Sequence, residues 1–417
     1  MSATNTGSVV TDTATETRHP HDPCLVPPHG IEAGTSIVNL AAGIAGRFAV
    51  RSALPAVPEP VLVEALAGAR SVVTVLFDGV GERQLATHVP RGALARYRLR
   101  TLDSVFPSST APAVTSLATA APPAEHGNPA WLIWSEHARA IVRTLPMDVR
   151  GDRRRAVSAA DTWSWRPWPE RAAAPSFALL PREIADSEYS RHAYGGSSRL
   201  PYARLDEIAS MVVGALCAAP QGASVFVYLP QFDAASHEAG WQSDAAAQVL
   251  GDFDRWFAAL VERLRDVDAL VLATADHGFV DVAARDQLRL EDFPEIAACL
   301  EHSLCGEPRV PFCQVRAEHR ERFAGIVAAS LGDAFAVHES GALLRAGWFG
   351  RVGESGAANL PIAGRIGTHV LVPTRCVTLV DTVEGERAPR FIGMHGGTSE
   401  DEMRVPLVAA WRGEPIG

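Results

Sequence analysis

No stretch of this sequence approaches the roughly 20 consecutive apolar residues that a bilayer-spanning helix needs. The best candidate, residues 37–50, is broken by Asn39, Gly43, Gly46 and Arg47. The first 23 residues also lack the apolar core of a secretory signal; they are polar and rich in Thr and Ser, which predicts a disordered leader over 1–23. A soluble, cytoplasmic protein with no membrane partner is the expectation. Cysteine is sparse: the six present (Cys24, Cys217, Cys299, Cys305, Cys313 and Cys376) include no CxxC pair. Their spacing matches no common zinc pattern and predicts reduced, buried thiols. Basic residues are outnumbered, 38 Lys and Arg against 48 Asp and Glu, and the resulting formal charge of −10 argues against a nucleic-acid polymer or an anionic membrane as partner. The one basic cluster, residues 150–155 (RGDRRR), reads as a solvated loop. There is no internal repeat.

What is present points to a sizeable α/β enzyme. With 417 residues and 47% hydrophobic content, the chain can bury one large core or two linked ones. Ser71–Phe77 (SVVTVLF) is apolar and β-branched without alternation, as expected of a parallel strand covered on both faces, and Ser224–Leu229 and Ala269–Thr274 repeat the form. Between the last two, residues 245–265 carry Val249, Phe253, Trp256, Phe257, Leu260 and Leu264 at helical spacing. Strand, helix, strand predicts a doubly wound, mostly parallel sheet flanked by helices. Residues 131–220 interrupt this pattern with Trp131, Trp134, Trp163, Trp165 and Trp168 among Arg, Pro and Ser, and residues 281–373 interrupt it again. The expected organisation is a core of 24–280 and 374–417 with an inserted cap subdomain over 281–373, the earlier insertion serving as a substrate wall.

Metal-type ligands end four short stretches: Asp78 in VLFDGV, Asp233 and His237 in QFDAASHEAG, Asp276 and His277 in LATADHGF, and His395 in GMHGGTSEDEM. Three of the four follow buried-strand patterns, and α/β sheets assemble their sites outside the carboxyl ends of strands. Three Asp and three His suit zinc or manganese. Asp233 and His237 are four residues apart and share a face of a helical turn. Two ions about 3.5 to 4 Å apart would clamp the attacking and leaving oxygens of an in-line displacement. Thr110 in VFPSSTAPAVTSLATA follows a turn at 107–109 and opens a small-residue helix, whose N-terminus would present N–H groups to a phosphate. Coordination to a cation would lower its hydroxyl pKa and hold the oxygen for attack.

In these residues the chain resembles the alkaline phosphatase superfamily, and within it the type I phosphodiesterase/nucleotide pyrophosphatase-like branch. The matching pieces are the strand ending FDG, FPSSTAP…TSLATAAPPAEHG, the D-x-x-x-H of Asp233 and His237, ADHG, and the late HGG; in family order they span 71–406, about four-fifths of the chain. The resemblance implies an alkaline phosphatase-like fold and two divalent ions, Zn2+ or Mn2+: one on Asp233, His237 and His395, the other on Asp78, Asp276 and His277. It implies Thr110 as the nucleophile, touching the second ion and forming a phosphothreonine, with His126 and Gly127 structural. Two departures bear on substrate. Ala111 stands where family nucleotide hydrolases carry a base-stacking aromatic, and Trp131 stands where many relatives place an Asn donor to the phosphate. Trp131, the tryptophan nearest in sequence to the Thr110 helix, is the candidate substrate-binding residue. The implied activity is hydrolysis of phosphodiester or pyrophosphate bonds in a small phosphate ester, with phosphomonoester or phosphonate hydrolysis, a phosphomutase-like transfer and an inactive binding relative as alternatives. The oligomeric state stays open.

Overall fold

The three unalternating apolar runs lie side by side at the centre of the molecule. The computed structural model describes residues 28–351, 361–386 and 390–417; the leader expected over 1–23 and Cys24 lie outside them. Ser71–Phe77 pairs in parallel with Ala269–Thr274 on one side and Ser224–Leu229 on the other. Ser176–Pro181 and Ser197–Tyr202 extend the sheet in parallel, while Arg404–Trp411 pairs antiparallel to Ala269–Thr274 and carries Arg98–Asp103 at the far edge. All residues of Ser71–Phe77 and Ala269–Thr274 are buried, which requires helices on both faces and accounts for the lack of alternation. The fold is thus the expected α/β architecture with a largely parallel sheet.

The expected crossover is two helices, Gln231–Ala239 and Asp244–Arg263. The second buries Phe253, Trp256, Phe257 and Leu260 along one stripe, and the Phe77 ring packs 5.1 Å from that of Phe253. Each such buried side chain contributes about 1.5 to 3 kcal/mol through apolar burial. Thr110–Thr119 forms the small-residue helix and packs against Ile37–Arg47, where Ala and Gly allow close approach. Among the described residues no helix is long and apolar enough to cross a membrane.

The two interruptions meet in one second sheet. Its order runs Phe335–Glu339, His369–Pro373, Pro311–Cys313, Cys305–Gly306, Leu132–Ser135, Ala140–Arg143, Asp148–Val149 and Asp152–Ala156. Residues 281–373 therefore do not close a sheet alone: strands from 132–156 complete it, and Gln287–Arg289 pairs with Thr378–Val380 beyond its expected end. Trp163, Trp165 and Trp168 are buried in the main core, whereas Trp134 stacks on His302 at 4.7 Å. Two expectations are corrected. Cys217 is exposed on the outer side of the Leu205–Ala218 helix instead of buried. Residues 150–155 are solvated only in part: Asp152–Ala156 is an exposed strand, whereas the Arg150 side chain is enclosed and paired with Asp381 at 2.8 Å and Glu386 at 3.0 Å. The chain contains no lysine. Its buried cations are therefore guanidiniums, whose planar fork suits bidentate pairing.

Candidate active site

Register brings the ligands together. Phe77 pairs with Leu229 and Leu76 with Thr274, so Asp78, the Pro230 turn and Asp276 all emerge at the carboxyl edge of three adjacent parallel strands. Gly79 follows at φ +78°, and a Cβ there would meet the Phe279 ring at 2.4 Å, so only glycine can turn the chain. Its N–H and that of His277 donate to Asp276 Oδ1, at 3.0 and 3.1 Å. The Gln231–Ala239 helix begins right after Ser224–Leu229 and presents Asp233 and His237 on one face. His395 arrives from the far end of the chain. The short Gly393–Met394 strand pairs with Val280–Asp281, and Ser108 Oγ donates to Gly397 O at 2.7 Å, locking the HGG segment beside the Thr110 loop.

Six side chains and Thr110 converge as two abutting sets. In one, Asp233 Oδ1 lies 3.4 Å from His237 Nε2 and 3.7 Å from His395 Nε2, and the two imidazole nitrogens are 3.2 Å apart. In the other, His277 Nε2 lies 3.4 Å from Asp78 Oδ1, 3.7 Å from Asp276 Oδ2 and 3.1 Å from Thr110 Oγ1. The Thr110 hydroxyl is directed at Asp78 Oδ1, 3.5 Å away. The sets share a wall: the His277 and His395 rings stack with centroids 3.7 Å apart, and the donor atoms of Asp233, His277 and His395 all lie within 4.8 Å of one another.

The donor chemistry fits cations. Each histidine donates Nδ1–H to a backbone carbonyl, His237 to Gly393 at 2.8 Å, His277 to Gly278 at 3.1 Å and His395 to Ser108 at 3.3 Å. That fixes the tautomer and leaves every Nε2 lone pair aimed at the cluster. Two such lone pairs 3.2 Å apart on His237 and His395 repel unless a positive charge lies between them. Asp233 Oδ1 and Asp276 Oδ2 are buried without a hydrogen-bond partner among the described residues, which is costly for a carboxylate. Separations near 3.4 Å match the edge of a tetrahedron with arms of about 2.1 Å, the usual zinc-to-ligand distance.

Electrostatics agree. Burial raises the Asp276 carboxyl to about 8, with the Asp78 charge adding to it, and raises Asp233 to about 7. Burial likewise holds His237 down to about 4 and His395 well below the ordinary range, so both are neutral imidazoles. Among the described residues these carboxylates have only imidazole partners and no arginine, so three of them ionised this close together call for a compensating charge.

Around the cluster lie residues that sequence patterns left unassigned. Tyr228 donates its hydroxyl to Asp78 Oδ2 and so orients that carboxylate. It occupies the penultimate position of its strand, and nothing in the SVFVYL pattern separates it from a core residue. Glu307, buried, accepts from Ser109 Oγ at 2.6 Å and from the Trp131 backbone N–H at 2.7 Å. The fully buried Arg309 binds Glu402 through two bonds of 2.9 and 2.7 Å, and Glu402 in turn accepts from Gly397 N–H and Ser399 Oγ. His126 bonds Ser116 on the Thr110 helix at 2.9 Å and the Asn128 N–H, away from the cluster.

A cleft of about 790 Å³ opens from Thr110 and the ligands along Trp131 and Phe391 toward Arg143, Arg150 and Arg153. That volume suits a small molecule. Of the five tryptophans in the first interruption only Trp131 lines it, and Ala111 contributes no surface. The Thr110–Thr119 helix begins at the cleft floor, where Ser109 is the N-cap but spends its hydroxyl on Glu307, and where the Thr110 and Ala111 N–H groups have no backbone carbonyl to bond.

Residues 72–398 match the family model described as type I phosphodiesterase/nucleotide pyrophosphatase. Among solved structures, murine ectonucleotide pyrophosphatase/phosphodiesterase 5, in an inactive form in complex with AMP, is similar over 82% of this chain and 87% of its own, at 16% identity and a TM-score of 0.62. The human counterpart is similar at 15% identity over 81% of this chain and 87% of its own, with a TM-score of 0.60. Phosphonoacetate hydrolase from Sinorhizobium meliloti, in complex with phosphonoformate, is similar at 17% identity over 82% of this chain and 90% of its own, with a TM-score of 0.55. No curated protein matches the sequence.

Proposed function

The chain belongs to the type I phosphodiesterase/nucleotide pyrophosphatase family, a metal-dependent family of phosphoric ester hydrolases, and we propose that it cleaves phosphodiester or pyrophosphate bonds of a small anionic substrate with Thr110 as nucleophile. The observation that carries this reading is the position of Thr110 Oγ1, 3.1 Å from His277 Nε2 at the mouth of a ligand cluster and at the start of a helix facing the cleft.

Asp233, His237 and His395 would hold one divalent ion, and Asp78, Asp276 and His277 with Thr110 the other; zinc fits these mixed nitrogen and oxygen sets, the first with two imidazoles and the second with one, with manganese as the alternative. Bound there, the ions would lower the Thr110 hydroxyl pKa and neutralise charge on the phosphoryl oxygens. The chain's own residues do the rest. Asp78 Oδ1 accepts the Thr110 hydroxyl and aims the oxygen into the cleft. The unbonded N–H groups of Thr110 and Ala111 receive a phosphoryl oxygen. The Trp131 and Phe391 rings flank the cleft beside the reacting phosphorus; attack by Thr110 expels one alcohol or phosphate and leaves the other substituent on a threonine-bound phosphoryl group, from which water then releases a phosphomonoester. Nucleotide substrates would find their aromatic surface on Trp131 or Phe391, since Ala111 offers none. Phosphonate hydrolysis is the second reading, supported by the fold shared with phosphonoacetate hydrolase.

The test is turnover by zinc-loaded protein on bis-p-nitrophenyl phosphate, p-nitrophenyl phosphate, p-nitrophenyl thymidine monophosphate and phosphonoacetate, with a chelated control. Chelator-sensitive hydrolysis fastest on the diesters is expected. Thr110→Ala should keep its metal and lose turnover by about 10³-fold or more; a wild-type rate in that variant would refute the nucleophile, and silence of the wild type on every substrate would favour an inactive binding relative.

A further inference from the structure

Next to the nucleophile sits a carboxylate that the family's ligand pattern does not include. Glu307 reaches the Thr110 loop from the turn after Cys305–Gly306, where Gly306 at φ +85° and reciprocal backbone bonds with Val310 (3.1 and 3.0 Å) fix its position. Its Oε1 takes the hydroxyl of Ser109, the residue before Thr110, and the N–H of Trp131, both within 2.7 Å. The side chain is buried, and it lines the same cleft as Thr110. No basic side chain among the described residues lies within ion-pairing distance of it; Arg309, two residues on, is committed to Glu402. Its partners are dipoles, which orient the carboxylate without cancelling its charge.

We infer that Glu307 determines the substrate class: it disfavours a doubly charged phosphoryl group in front of Thr110 and admits the singly charged phosphorus of a diester or of an internal phosphoanhydride. This rests on the reading of Thr110 as the nucleophile of a two-metal site. There, Asp78, Asp233, Asp276 and an ionised Thr110 offset two divalent ions, so the site is close to neutral without Glu307 and negative with it. A dianion brings one more negative charge into that field than a monoanion does. One unit charge about 6 Å away at an effective dielectric of about 20 amounts to roughly 100-fold, and solvent in the open cleft brings the expectation to about 10- to 100-fold. The same reasoning ranks phosphomonoesters and terminal phosphonates below diesters.

Glu307→Gln separates charge from shape, because the amide oxygen can still accept from Ser109 and Trp131. Working above about pH 8, where a carboxyl that burial raises to about 7 is ionised, kcat/KM would be measured on bis-p-nitrophenyl phosphate and p-nitrophenyl phosphate. Inorganic phosphate and dimethyl phosphate would be titrated into the zinc-loaded protein by calorimetry. The inference expects the monoester-to-diester ratio to rise about 10- to 100-fold in Glu307→Gln, with inorganic phosphate tightening to the same degree and dimethyl phosphate moving less than about threefold. Ser109→Ala, which keeps the charge, should leave the ratio within about threefold even if both rates fall. An unchanged ratio together with unchanged phosphate affinity in folded Glu307→Gln would overturn it. Should Glu307→Gln not fold, wild-type protein binding inorganic phosphate more tightly than dimethyl phosphate would overturn it equally. A wild type that hydrolyses neither ester would sink the proposed function, while the two affinities would still decide the role of Glu307.

Discussion

Replacing Glu402 by glutamine should destabilise the protein far more than loss of an ordinary hydrogen bond. The carboxylate is fully buried and accepts four donors: Arg309 Nε and Gly397 N–H on one oxygen, Arg309 Nη2 and Ser399 Oγ–H on the other, all between 2.6 and 2.9 Å. A glutamine has one acceptor oxygen, so in either rotamer its NH₂ faces two donors. The fully buried Arg309 charge then lacks its counterion, although its Nη1 bonds to Arg375 O and Val377 O persist. An orphaned buried charge costs about 3 to 5 kcal/mol, which should be read as a drop in the urea midpoint at unchanged slope. Replacing both partners, Arg309→Met with Glu402→Leu, should recover much of that loss, because removing the pair removes the desolvation cost too. The pH dependence has a defined sign. Burial pushes the Glu402 carboxyl up, but the Arg309 charge and the bonds from Arg309, Ser399 and Gly397 outweigh it and hold it below the ordinary glutamate range. The stabilisation is therefore complete above the unfolded value of about 4.3 and is lost as pH falls through the lower folded value. A Glu402→Gln protein within about 1 kcal/mol of wild type, or a double variant no more stable than the single one, would refute this reasoning.

Tyr228→Phe removes the hydroxyl that orients Asp78 and should weaken metal binding by about 10- to 100-fold, measured by competition with a zinc indicator; unchanged affinity would mean that Asp78 is held by packing alone. Gly79→Ala demands φ +78° of an alanine and drives its Cβ into Phe279, so both stability and turnover should fall, the former by about 1 to 3 kcal/mol in a denaturant titration. Stripping metal should lower the melting temperature reversibly, because Asp78, Asp233 and Asp276 are left close together with only imidazole partners among the described residues. Equal melting curves with and without chelator would count against cation binding at the cluster.

The parts of this protein that could be read from residues alone are those built from local chemistry repeated over a short span. β-Branched runs without alternation correspond to the three central strands, because a strand covered on both faces has no polar side to alternate with. Asp233 and His237 share a helix face because the spacing of four matches the helical turn. Thr110 heads its helix because Pro107 to Ser109 cannot continue one. The six residues that converge in the cluster were legible as a set because each lies at, or just beyond, such a local signal.

What no local pattern contains is pairing between distant segments. The enclosure of the Arg150 side chain depends on Asp381 and Glu386, more than 200 residues away, so it reads as solvent-facing like its exposed neighbours in Asp152–Ala156 until the chain closes on it. The second sheet joins residues 132–156 to 305–373 across the core, which makes one unit of two apparent insertions. Glu307, Arg309 and Glu402 look like surface charges in sequence and become buried only because the second sheet presses against the HGG segment and the Thr110 loop. The sequence alone determined the central strands, the helix that carries Thr110 and the chemical kind of the clustered side chains, since these follow from periodicity and side-chain type. The charge beside Thr110 and the walls of the cleft were decided by tertiary structure alone, because they arise from which remote backbones meet, and burial is a property of that meeting.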